Sequence, residues 1–146
     1  MFRCCSVLRP LITRHRPLGS FDAVTYFLAA GAPALAAGPG PEINATITAQ
    51  HDGATYRFAS EDHKERFLKD PAKYLPEYGG FCAAGTANGV KVDGDPTVWK
   101  IVDNKLYLNF APVVAERWNK DIAGNVKTAN EKWRVIKDKA PSELLQ

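Results

Sequence analysis

From Ile43 to Gln50 the chain is rich in β-branched residues. It then meets His51-Asp52-Gly53 and resumes as Ala54–Phe58. Two strand-like runs flanking Asp-Gly predict a hairpin, because a type I′ turn needs positive φ at both central residues. On the return strand Tyr56 and Phe58 share one face and Thr55 and Arg57 the other. The pattern then changes period. Ser60 is a natural N-cap, Glu61 and Asp62 follow in the first turn, and His63 and Phe67 lie four apart, so a helix is expected to about Lys69. Asp70-Pro71 restarts the helix, with Asp as cap and Pro where a missing N–H costs nothing. Pro76 stops that turn.

Gly79-Gly80 predicts a sharp bend ahead of Phe81-Cys82. Small residues to Ala87 suggest a close-packed helical segment, ended by Asn88-Gly89. Val98–Val102, Asp103-Asn104 and Lys105–Phe110 predict a second hairpin. Pro112 starts a helix with Val114 and Trp118 on its buried side, and Gly124 is expected to interrupt it. A last helix, Asn125–Ile136, carries Val126, Ala129 and Trp133 at helical spacing. These elements make an α+β domain: a small antiparallel sheet from two hairpins, with three to four short helices packed on it.

Charge changes the picture only at the N-terminus. Four of the 19 basic residues (Arg3, Arg9, Arg14 and Arg16) fall in the first 20 positions, leaving 15 bases against 16 acids in the body. A near-neutral mixed body has no nucleic-acid footprint. No apolar run approaches the ~18 residues of an integral membrane segment. The Arg-rich, acid-free start has the composition of an organelle-type presequence or of a disordered tail. Residues 24–36 also suggest a signal-peptide core with Ala34-Leu35-Ala36 as its cleavage site, although the segment before it would be long and would include Asp22. Pro33–Pro41 reads as a linker. Asn44-Ala45-Thr46 matches a glycosylation sequon. Three cysteines, Cys4, Cys5 and Cys82, do not describe a disulfide framework.

The run YRFASEDHKERFLKDPAKY resembles the YHS domain, a treble-clef-like relative of the TRASH metal-binding modules. The likeness continues through Tyr78–Ala83, Lys91–Pro96, Leu106–Asn109 and Arg117–Ile122, and Gly19–Phe27 looks like the usual opening segment. It implies a tail at 1–18, a YHS-like domain at 19–136 and a C-terminal tail at 137–146. It also argues against cleavage within residues 24–36 and favours a cell-envelope or periplasmic setting. Metal-binding members of the family carry an early Cys-x-x-Cys and a later cysteine pair. Here the early pair is absent, and Ala59 and His63 stand where the later cysteines would be, so a four-thiolate zinc site cannot be built.

The remaining candidate chemistry is narrow. Cys82 is a soft-metal ligand for copper or zinc, a reactive thiol, or a small buried hydrophobe. His63 is a second ligand if the glycine bend returns the chain over the helix, or a solvated first-turn histidine. Asp93 and Asp95 around Gly94 are too close together, without a distal Glu, for a calcium loop. Three readings follow. One is a non-enzymatic metal-handling module using Cys82 and His63, and another is a metal-free module that kept the fold and binds a small ligand or partner. The third, a Cys82-dependent enzyme, has no base that can be named.

Overall fold

The computed structural model describes Val24, Phe27, residues 47–51 and residues 54–144. The expected Asp52-Gly53 turn, the tail at 1–18 with Cys4 and Cys5, Asp22, the Pro33–Pro41 linker and the sequon lie outside the described residues. In chain order the structure has β1 (Thr48–His51), β2 (Ala54–Arg57), α1 (Glu61–Lys69), α2 (Pro71–Tyr74), a 3₁₀ turn (Glu77–Gly80) and α3 (Ala83–Ala87). These are followed by β3 (Asp95–Val102), β4 (Lys105–Asn109), α4 (Pro112–Asn119), α5 (Ile122–Ile136) and a closing 3₁₀ turn (Pro141–Leu144). The class is α+β. The two hairpins do not merge as expected: β1–β2 and β3–β4 are separate two-stranded antiparallel sheets. Among the described residues five α-helices surround them, not three or four.

Local chemistry accounts for most boundaries. The Ser60 hydroxyl accepts the His63 N–H at 3.2 Å and opens α1. Pro71 occupies the first turn of α2, but Asp70 makes no side-chain cap bond there. Asp103 and Asn104 both have positive φ, 50° and 62°, as a tight β3–β4 hairpin requires. The expected break at Gly124 is in fact at Lys120–Asp121. The Asp121 carboxylate accepts the Gly124 N–H at 3.0 Å and caps α5, so Gly124 lies inside the helix.

β4 is the wall between two cores. Leu106 and Leu108 turn to the first, with Val24, Tyr56, Phe58, Phe67 and Tyr74. Tyr107 turns to the second, with Tyr78, Ala83, Trp118 and Ala129. Alternation along one strand thus feeds both faces, and each large side chain removed from water contributes roughly 1.5–3 kcal/mol. Aromatic contacts fix the geometry: Phe67 meets Tyr56 at 4.9 Å and Phe58 at 5.2 Å, and Tyr107 meets Trp118 at 6.0 Å.

The second core stores a sensitivity to alkali. Burial, with the Glu77 and Asp103 carboxylates nearby, pushes the Tyr107 phenol up to about 12. Tyr78 is raised as well, by burial first and then by Tyr107 and Glu77, and it donates to Asn130 Oδ1 at 2.9 Å. In the unfolded chain both phenols ionise near pH 10. Above that pH the unfolded state releases protons that the fold retains, so stability declines as pH rises from 10 towards 12. Lys91, lowered mainly by burial against the pull of Asp138 and Glu143, has the opposite slope below its unfolded value of 10.5. Urea titrations are expected to show a loss on the order of 1 kcal/mol per pH unit for each phenol beginning above pH 10. Tyrosinate absorbance from these two residues should appear together with unfolding. Ionisation of all five tyrosines in the folded protein near pH 10 would contradict this.

Candidate ligand cavity beside Cys82

The backbone around Cys82 is set by the turn before it. Tyr78, Gly79 and Gly80 all have positive φ, which reverses the chain and aims Cys82 at β4. The Cys82 N–H donates to Val92 O, in the loop before β3, at 2.7 Å, and its carbonyl accepts the Thr86 hydroxyl of α3 at 3.0 Å. Its Sγ sits at the N-cap of α3, a position usually held by a side-chain oxygen, and accepts the Gly85 N–H at 3.4 Å. The same sulfur accepts the Phe110 N–H at 3.3 Å and directs its thiol proton to Asn109 Oδ1 at 3.6 Å. Asn109 Oδ1 also accepts the Ala84 N–H at 3.2 Å. The buried thiol thus joins the start of α3 to the end of β4.

One wall of a cavity of about 410 Å³ begins at Cys82. It is lined further by α3 and the loop that follows, by Phe110 and α4, and by Asn125 of α5. Arg117 and Trp118, consecutive in α4, both line it. The volume lies within the usual range for small-molecule sites.

Comparison with family models, with curated proteins and with solved structures finds no match to the chain.

The sequence-predicted candidates occupy different places. Cys82 is on the cavity wall, whereas His63 is half-buried in the first turn of α1 and is not a wall residue. Among the described residues no group of three or more His, Cys, Asp or Glu side chains is placed to hold a metal ion. The Asp95 carboxylate is committed locally: it accepts the Thr97 N–H at 2.8 Å and hydroxyl at 2.7 Å, the backbone bond being the main cause of its lowered pKa. His51 packs edge-on against Phe67 at 6.0 Å beside the first hairpin.

Arg117 and the amides Asn88 and Asn125 are the functional candidates that sequence reasoning misses. A single arginine on a surface helix carries no local mark that separates it from a solvated one. Trp118 was expected in the core, and it is there at 2% exposure, but it also walls the cavity. No described helix is long and apolar enough to cross a membrane.

Proposed function

We propose that the chain is a non-enzymatic YHS-type module that binds a small ligand in the cavity beside Cys82, with the thiol acting as a structural cap. The observation that carries this reading is the commitment of Sγ to Gly85, Asn109 and Phe110 next to a walled volume. A sulfur that holds a helix to a strand stabilises the wall without needing a metal. Adding 1-octanol to the isotope-labelled protein is expected to move the amide signals of Val90, Val92 and Phe110. Undisturbed signals at those positions with 1-octanol and with charged eight-carbon compounds alike would remove the support for a ligand cavity.

A second reading has its own observation. Because Cys82 forms part of the cavity wall, a soft ion entering the cavity meets one thiol, which is the copper or zinc chemistry implied by the family resemblance. Elemental analysis after loading with each ion decides between the two. The capping reading expects less than ~0.1 ion per chain, since a built site retains its ion through washing. It also expects a chelator to leave the melting temperature unchanged. About one ion per chain, lost in Cys82→Ala, would establish the metal reading instead.

A further inference from the structure

The chemical class of the ligand follows from which side chains form the walls. We propose that the cavity takes a small amphipathic anion, an apolar body carrying one carboxylate. This rests on the cavity reading above and adds the identity of the ligand class.

Size comes first. A volume of about 410 Å³ lies towards the lower end of the small-molecule range, so it suits a small ligand of about ten non-hydrogen atoms. Ala84, Ala87, Val90, Val92 and Val114 supply an apolar surface. Phe110, on the same wall, is 56% exposed, which extends that surface to the solvent side. An apolar body is the natural occupant of such walls.

The polar groups then fix the head. Of the wall residues only Arg117 is charged, and none is acidic. No described carboxylate forms an ion pair with Arg117. Its guanidinium presents a planar fork of donors that matches a carboxylate in bidentate fashion. Next to it in sequence, the Trp118 indole N–H is buried without a hydrogen-bond partner. An indole N–H only donates, so whatever completes it must be an acceptor. A buried donor left without an acceptor is unfavourable, and the same side chain lines the cavity. The side-chain amide of Asn125 holds the Trp118 carbonyl at 2.9 Å, tying α5 to this part of α4. Two donor side chains and no acidic group favour an anion over a cation, and the apolar walls favour a monoanion over a polyanion such as a nucleotide.

The test compares heads on one chain length. The isotope-labelled protein is titrated at neutral pH and low salt with octanoate, 1-octanol and octylammonium, and 3-phenylpropanoate separates aryl from aliphatic carboxylates. Octanoate is expected to bind about tenfold more tightly than octanol, the scale of one charge-assisted contact, and octylammonium most weakly. The Trp118 indole N–H signal should move further downfield with either carboxylate than with octanol, whose neutral hydroxyl is the weaker acceptor. Arg117→Gln, a change at an exposed position, should bring octanoate down to the level of octanol, and Arg117→Lys should restore part of the difference. Equal binding of octanol and octanoate, or a preference that survives Arg117→Gln, would overturn the anion assignment and leave the cavity reading standing. If none of the four compounds moves the cavity signals, the cavity reading fails with it.

Discussion

Gly94→Ala is expected to destabilise the fold by about 3 kcal/mol, the upper end of what overpacking a close-fitted site costs. The residue lies where the loop before β3 crosses the glycine turn. Its N–H donates to Gly80 O at 3.2 Å. A methyl group added there would sit 2.6 Å from that same carbonyl and 2.7 Å from Leu108 Cβ. Neither neighbour is the loose end of a side chain: one is backbone and the other is in the first core. Relief would require the Gly79-Gly80 turn and β4 to separate, which would also disturb the approach of Cys82 to Phe110. Chemical denaturation of the variant measures the loss, and a melting point lowered by about 10 °C would accompany it. A change within ~0.5 kcal/mol, the range of an ordinary surface substitution, would show that the two segments do not approach this closely.

The second large effect is at Lys91, which is only 3% exposed although it lies in a loop. Its ammonium donates to Lys137 O at 2.7 Å and Lys139 O at 2.6 Å, just beyond the last turn of α5. It also lies 5.1 Å from the centre of the Trp133 ring and 5.5 Å from that of Phe81. A cation at the C-terminal end of a helix is favoured by the dipole and supplies donors to carbonyls the helix leaves open. Lys91→Met keeps the apolar stem and removes both bonds and the charge over the rings. Relief from burying the ammonium offsets part of the loss, so a net cost of about 2 kcal/mol is expected. Amide exchange should quicken in residues 133–139 before it quickens elsewhere. Unchanged stability in Lys91→Met would mean that solvent satisfies those carbonyls equally well.

Lys91 also shows where the sequence stops being readable. A lysine in a loop has no local sign of burial, because the carbonyls that hold its ammonium and the Trp133 ring beside it lie more than 40 positions away. The elements whose cause is local are the ones that sequence reading recovers: the Ser60 cap, the Asp103-Asn104 turn, the glycine reversal and the Asn88-Gly89 stop. The α4–α5 break was misplaced for an equally local reason. Glycine at 124 is a conspicuous breaker, but Asp121, three positions earlier, is the cap that accepts its N–H. The separation of the hairpins into two sheets depends on pairing across long sequence distances, which strand patterns do not encode. The candidate site divides in the same way. A lone thiol at Cys82 stands out in the sequence, but the cavity beside it is assembled from α3, the following loop, α4 and α5. No spacing of residues announces those walls.

The reversal through Tyr78–Gly80 has one more consequence, for association between copies. On one side β4 is hydrogen-bonded to β3. On its other side the chain before and after the reversal makes isolated parallel bridges, Pro76 to Leu106 and Cys82 to Leu108. An open β-strand edge is a template on which a second chain can add a strand. Here the covering segment bridges β4 at two points, and Tyr78–Gly80 between them are in left-handed backbone. It blocks that template without offering a regular strand edge of its own, which protects the most buried of the described strands from edge-to-edge polymerisation.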